Sequence, residues 1–255
     1  MTKICYFSGT GNSLWSARKI AEAIGDQHAC LINIGLEAGK DKLVVEADAV
    51  VLVFPSYAFG LPLAVRRFAM NAEFRTPYLA AFVTCGSTPG GTLASLGRIL
   101  GGKGIDSVFL GRIPAVENYI AIFGPPKEET ERRRLEMQRK ATEDAVRCVI
   151  ERRVNSVNTF RPISAFIWLL FSLGLKIFYK RYRVSEDCDG CGICERVCPV
   201  SSVSMRDGRP VFSAKCEHCQ GCLNWCPQRA IHFGRLNSRV ARYHHPEISL
   251  RDISR

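Results

Sequence analysis

Short apolar runs alternate with stretches of helical periodicity through the first 155 residues. Lys3–Phe7 reads as a β-rich strand, and Leu14, Ala17, Ile20, Ala21 and Ile24 then recur at helical spacing up to Gly25, a natural stop. Ala29–Ile34 predicts a second strand. Ala49–Phe54 is a nearly unbroken apolar run, as a parallel strand buried on both faces requires. A helix over Leu63–Met70, a strand over Tyr78–Val83, a helix over Thr92–Leu100 and a strand over Ser107–Arg112 follow. A long charged helix, Glu128–Arg153, closes the unit, with Leu135, Ala145, Val146, Val149 and Ile150 as its apolar positions. This alternation predicts an α/β fold with a doubly wound parallel sheet, whose ligands bind at the carboxyl ends of the strands.

The loops at that edge have distinctive chemistry. After the first strand comes Ser8, Gly9, Thr10, Gly11, Asn12 and Ser13, glycine and hydroxyl residues that lead straight into a helix. Free amides at a helix start and the positive end of its dipole favour an anion, and hydroxyls donate further bonds. A plain capped strand–helix turn is the competing reading. The third strand ends in Pro55, Ser56, Tyr57, Ala58, Phe59 and Gly60, and the fourth in Thr84, Cys85, Gly86 and Ser87 followed by Gly90 and Gly91. All three loops flank one crevice.

From Pro162 to Leu175 the pattern changes to 14 residues without charge, followed by Lys176, Lys180, Arg181 and Arg183 with Ile177, Phe178 and Tyr179 between them. A bilayer span needs about 20 residues, so this stretch reads as too short to cross. It predicts a stiff connector packed on the first unit; the alternatives are a basic, aromatic helix in a membrane interface, making 160–183 a candidate peripheral membrane contact, and a surface for a partner protein.

Eight of the twelve cysteines then fall in two copies of one pattern. Cys188, Cys191, Cys194 and Cys198-Pro199 are matched, 28 residues on, by Cys216, Cys219, Cys222 and Cys226-Pro227. Ser202-Val203 aligns with Ala230-Ile231, so the repeat extends past the cysteines. Three cysteines two residues apart reach three irons of one cubane, and the fourth is carried by a helix start to the other cluster. One [4Fe-4S] cluster then takes Cys188, Cys191, Cys194 and Cys226, and the other Cys216, Cys219, Cys222 and Cys198. Zinc needs only two Cys-x2-Cys pairs and leaves the Cys-Pro unexplained. A disulfide framework suits a small secreted chain. The chain enters a strand from Met1 with no apolar signal region, which with labile clusters and free thiols points to a reducing cytoplasm. Cys5, Cys30 and Cys148 read as small core residues, Cys85 as a buried thiol, and Trp15 and Trp225 as packing residues. His218 lies between ligands, but eight cysteines already complete two clusters.

The formal charge of +11 does not argue for nucleic acid. Two clusters and one phosphate monoester on the first loop each contribute about −2, leaving the loaded protein near +5. The excess is read as solvated helix faces, or as a docking surface for an acidic redox partner or an anionic membrane. No Gly-x-Gly-x-x-Gly fingerprint follows a strand, so direct oxidation of NAD(P)H is not expected, and no catalytic Ser/His/Asp set is legible.

Residues 183–235 resemble a bacterial-type ferredoxin with two [4Fe-4S] clusters. Residues 1–155, with Ser8-Gly-Thr-Gly-Asn-Ser13 and five βα units, resemble flavodoxin. That second resemblance implies FMN, its phosphate on residues 8–13 and its ring between the 55–60 and 84–91 loops, with Tyr57 stacked on the ring or else packed as a turn aromatic. Many flavodoxins have an aromatic in the later loop; residues 84–91 have none, leaving that face to backbone and Cys85 or open to a neighbouring domain. The order of modules resembles a family of flavodoxin–ferredoxin fusion proteins, as does the tail Arg242–Ile248, expected to cap the ferredoxin or the crevice. The resemblance implies a flavodoxin-like domain over 1–157, a linker helix over 158–182, and a two-cluster ferredoxin-like α+β domain with its tail over 183–255. It implies an electron-transfer iron–sulfur flavoprotein whose partner is a ferredoxin-type donor or a flavoprotein or reductase acceptor. An FMN-dependent reductase with its own small substrate (a quinone, an oxygen species or a disulfide) is the alternative.

Overall fold

The computed structural model describes residues 1–25, 29–39, 43–155, 162–234 and 240–254. In the first module β1 (Thr2–Tyr6), α1 (Asn12–Ile24), β2 (Cys30–Asn33), α2 (Ile34–Glu37), β3 (Leu43–Glu46) and β4 (Ala49–Pro55) are followed by α3 (Leu63–Asn71) and β5 (Ala72–Arg75). Then come β6 (Leu79–Cys85), α4 (Thr92–Gly101), β7 (Val108–Pro114), α5 (Ile120–Phe123) and α6 (Glu128–Ile150). Among the described residues the central sheet has five strands in the order β2-β1-β4-β6-β7, all parallel. Counted along the sheet this is 2-1-3-4-5, the flavodoxin-like order, and the reversal between β1 and β4 opens a crevice there.

Side-chain alternation explains why β4 is apolar throughout. Val50, Leu52 and Phe54 pack with Val65, Phe68 and Leu96 on one face, while Val51 and Val53 pack with Ile20, Ala145 and Val149 on the other. Each such side chain contributes about 1.5–3 kcal/mol relative to exposure. On the second face Gln138 of α6 donates to the Asn12 carbonyl (2.9 Å) and to Ser16 Oγ (3.1 Å), fixing the start of α1 beneath the first loop. Two differences from the sequence expectation stand out. The second crossover has only the four-residue α2, and its remaining chain forms β3, paired in parallel with β5 outside the main sheet. Cys30 is exposed rather than a core residue, because β2 is an edge strand.

The chain continues with α7 (Pro162–Phe178), a single 3-10 turn (Tyr179–Arg181), β8 (Tyr182–Val184), α8 (Ile193–Arg196), β9 (Val203–Arg206), β10 (Arg209–Phe212), α9 (Gly221–Asn224), β11 (Ile231–Phe233) and α10 (Leu250–Ile253). The expected domain boundary at 157 and the linker start at 158–161 lie outside the described residues. Helical structure from Pro162 to Arg181 makes 20 residues, enough by length and composition to cross a membrane, so the expectation of too short a segment is corrected. The uncharged count stops at Leu175, but the helix does not. β8 and β11 pair antiparallel, as do β9 and β10 around the left-handed pair Asp207-Gly208, an Asp-Gly signature of a tight hairpin.

The second module lies against the first. The backbone closes to a distance that only glycine permits: a Cβ on Gly9 would come 2.9 Å from the Cys219 carbonyl oxygen, and one on Gly221 would come 2.8 Å from the Gly9 carbonyl oxygen. Glu217 accepts from the Leu63 amide (2.8 Å) and from Arg67 (3.1 Å), so a carboxylate of the second module caps the otherwise uncapped start of α3. The tail sews the seam from the side. The Tyr243 amide donates to Asn224 Oδ1 (2.9 Å) and its hydroxyl donates to Asn12 Oδ1 (2.8 Å), while the His245 amide donates to the Thr10 carbonyl (2.8 Å). Leu14, Trp15, Val197, Trp225, Ile248 and Ile253 form one apolar cluster drawn from both modules and the tail.

Candidate functional site

Four of the cysteines surround a space rather than a point. Cys188, Cys191, Cys194 and Cys226 line one small cavity with Met205, Pro210 and Ile231. Cys198, Cys216, Cys219 and Cys222 lie close enough that each of the last three feels the charge of Cys198. Among the described residues no three His, Cys, Asp or Glu side chains converge as they would on a single metal ion. Thiolates spread around a void fit a cubane. Backbone amides already aim at the sulfurs: Ser202 donates to Cys198 Sγ (3.1 Å), Ala230 to Cys226 Sγ (3.3 Å) and His218 to Cys216 Sγ (3.4 Å). Ser202 and Ala230 are the residues the repeat aligns, so the two copies use the same bond. Burial pushes the thiol of Cys194 up to about 12 and that of Cys216 to about 11, and holds Cys219 and Cys222 well above the ordinary value. Thiols this buried ionise readily only beside a positive charge.

The first loop folds as a cradle. Gly11 is left-handed (φ 98°), and α1 begins behind it with no side-chain cap and no acidic residue in its first turn. Its first amides are therefore open to an anion. The Gly11 amide donates to Ser8 Oγ (3.1 Å), Asn118 Nδ2 donates to Thr10 Oγ1 (2.6 Å), and Ser13 Oγ lies 2.8 Å from Thr84 Oγ1. Ser8, Gly9, Thr10, Asn12 and Ser13 line a polar recess with Pro55, Ser56 and Thr84. This donor set fits a phosphate.

Beside the recess lies a cavity of about 420 Å³ bordered by Ser56, Tyr57, Ala58 and Phe59 on one side and Cys85, Gly86, Ser87 and Thr88 on the other. Ala58 (φ 46°) and Phe59 (φ 65°) are both left-handed in a two-residue turn closed by Tyr57 and Gly60. Non-glycine residues in that conformation store strain of the kind found at binding loops. Tyr57 faces both spaces, packs edge-on against Phe7, and keeps a buried hydroxyl without a protein partner. Cys85 is buried, and burial pushes its thiol up to about 11. An apolar slot of this size with a phosphate cradle at its end fits a planar tricyclic ring. Four expected residues do not line either space: Gly11 is turned toward His245 and Ile248, Gly90 packs on Phe59, and Gly60 and Gly91 line a separate cleft beneath α7. Their part is to allow close backbone approach, which removes them from the lining.

Several lining residues were not foreseen. Glu117, Asn118 and Tyr119 come from the loop after β7, the fifth strand end at the same edge. The far wall is Ile167, Phe171 and Phe178 of α7 with His218 and Cys219 of the second module. The face left without an aromatic by residues 84–91 is therefore open to the neighbouring module. His218 is 2% exposed, stacks on Phe171, meets Tyr119 and Phe233 edge-on and Phe178 at a tilt, and shares a 2.7 Å bond with the Tyr182 hydroxyl through Nδ1; its Nε2 has no protein partner. Burial holds it neutral, its pKa lowered to about 4.

Residues 182–203, spanning the first cysteine copy, match the family model of the 4Fe-4S binding domain. Among solved structures, an azoreductase from Bacillus anthracis strain Sterne is 12% identical over 59% of this chain and 100% of its own, with a TM-score of 0.39. A flavodoxin from Streptococcus pneumonia TIGR4 is 14% identical over 56% of this chain and 98% of its own, with a TM-score of 0.33. A flavone reductase is 9% identical over 87% of this chain and 86% of its own, also at 0.33. The chain thus joins an N-terminal flavodoxin-like module, defined by its strand order, to a C-terminal 4Fe-4S ferredoxin motif.

Proposed function

We propose that this protein is an electron-transfer iron–sulfur flavoprotein with FMN in the crevice between β1 and β4 and two [4Fe-4S] clusters in the second module. Cys188, Cys191, Cys194 and Cys226 hold one cluster; Cys198, Cys216, Cys219 and Cys222 hold the other. The clusters supply one-electron steps, and the flavin accepts or releases one or two electrons. The chain's residues hold these centres at fixed spacing. The amides on Cys198, Cys216 and Cys226 stabilise charge on the sulfurs, and burial of the second cysteine loop works in the opposite direction. The recess of residues 8–13 holds the phosphate, and the wall of Tyr57, Phe171, Phe178 and His218 shields the ring from water. One observation carries this reading. Cys219, a cluster ligand in this assignment, lines the ring cavity itself and touches the phosphate loop at Gly9.

The test is a reductive titration of anaerobically isolated protein followed by absorbance and electron paramagnetic resonance. Two cluster signals and one flavin, exchanging electrons on mixing, are expected. Colourless protein, or zinc in place of iron, ends the proposal. A reductase acting on its own small acceptor is the second reading, favoured by the apolar border of the cavity at Phe123 and Ile167, both exposed. Multiple-turnover reduction of a small quinone under excess chemical reductant, faster than the reductant alone achieves and with no partner protein present, selects it.

A further inference from the structure

α7 is apolar all round but buried on one side only. Trp168, Phe171, Leu175 and Phe178, spaced 3, 4 and 3 apart, face the protein: Trp168 donates to the Leu61 carbonyl (2.8 Å), Phe171 and Phe178 reach His218, and Leu175 is 4% exposed. The opposite stripe is Ile163, Phe166, Leu170, Leu173 and Ile177, exposed by 53–76%. Leaving five large apolar side chains in water along a helix about 26 Å long is costly unless something covers them. The inward contacts exclude a span, because a helix crossing a bilayer cannot keep Trp168 on Leu61 and Phe178 on His218.

Charge identifies the cover. Between Glu151 and Glu186 the chain has no acidic residue and seven cations, Arg152, Arg153 and Arg161 before the stripe and Lys176, Lys180, Arg181 and Arg183 at its end. The last four are exposed. Beside the helix, Arg66 and Arg98 line a cleft of about 410 Å³ together with Leu169. A second copy of the helix laid parallel would set Lys176, Lys180, Arg181 and Arg183 against the same four cations. An anionic surface matches both the apolar stripe and its basic C-terminal end.

We infer that the outward face of α7 docks the protein on an anionic lipid bilayer, the helix lying in the interface with Ile163, Phe166, Leu170, Leu173 and Ile177 among the acyl chains and Lys176, Lys180, Arg181 and Arg183 at the headgroups. This inference does not depend on flavin or on the number of clusters.

The experiment is flotation of the full-length protein, isolated anaerobically with its native centres, on vesicles of phosphatidylcholine alone or with about 30% phosphatidylglycerol. Binding to the anionic vesicles only, weakened in about 0.5 M salt, is expected. Lys180→Glu with Arg181→Glu lowers the partition coefficient about tenfold or more, and Leu170→Glu with Leu173→Glu abolishes binding, both with unchanged iron content and visible absorbance. Leu170→Trp keeps the stripe apolar and reads the contact directly, its added emission quenched by brominated phosphatidylglycerol. Absence of flotation, equal flotation on neutral vesicles, or unquenched Leu170→Trp emission overturns the inference. So does a dimer in vesicle-free buffer that Leu170→Glu with Leu173→Glu dissociates, which assigns the stripe to a second copy.

Discussion

At Gly9 a single methyl group has no room. Its position lies 2.9 Å from both Cβ and the carbonyl oxygen of Cys219, and the neighbour includes backbone that cannot swing aside. Gly9→Ala therefore forces the phosphate loop and the cysteine loop apart, at a cost of about 1–3 kcal/mol. The expected outcome is a lower thermal midpoint together with reduced flavin retention on gel filtration. His245 gives a second residue-scale expectation. It is 1% exposed and stacked on Trp15, and burial first, then Arg139 and His244, against the opposing pull of Glu247, lowers its pKa from 6.5 to about 4. Because the unfolded chain takes up that proton near pH 6.5 and the folded chain does not, stability is full above 6.5 and falls as the pH drops toward 4, by up to about 3 kcal/mol. Denaturant midpoints across that window, compared with those of His245→Gln, measure it; a pH slope unchanged by the substitution contradicts it. His218 shows what was readable at this scale and what was not. It holds the place that Gly190 holds in the first cysteine copy, and both are left-handed (φ 54° and 73°). The repeat thus displayed a histidine where its twin has glycine. That its ring walls a cavity in another module depends on docking, which no local pattern encodes.

At the scale of elements, α7 is the wall of the crevice and depends on few anchors. Trp168 packs so closely on Gly60 that a Cβ there would lie 2.0 Å from the indole. Trp168→Ala removes that packing and the bond to Leu61, a loss of about 3–5 kcal/mol. Rapid proteolysis within 162–181, with the cluster absorbance retained, is the expected result; an unchanged cleavage rate rules out this anchor. The five parallel strands were legible because each is a short apolar run bounded by glycine, proline or hydroxyl residues. β3 and β5 were not, since four-residue strands such as Leu43–Glu46 have too few alternations to show a period. The grouping of the cysteines was legible because spacing is a covalent property of the chain, and the structure draws Cys188, Cys191, Cys194 and Cys226 around one small cavity. The crevice was half legible: the loops after β1, β4 and β6 declared themselves by composition, but Glu117–Tyr119 and the inner stripe of α7 are ordinary in sequence and become lining only through packing.

For the whole molecule, the seam makes the two cysteine sites unequal. Cys222 follows Gly221, which rests on the Gly9 carbonyl, whereas Cys191 is exposed. Cys191→Ala is expected to remove one cluster and leave flavin bound, and Cys222→Ala to remove the other and loosen flavin as well. Iron analysis and flavin fluorescence after desalting separate these outcomes; equal flavin loss in both variants contradicts the asymmetry. The tail joins in the same linkage, since Tyr243 and His245 hold Asn12 and Thr10 while His244 stacks on Trp225 at 4.0 Å.

The glycine-to-backbone contact between Gly9 and Cys219 has a kinetic consequence. Two separate carriers must find each other by diffusion, and their exchange slows with dilution and with added salt. Here the encounter has been replaced by a covalent chain and a closed interface, so the rate of exchange between the proposed centres is set by a fixed gap, independent of protein concentration and ionic strength.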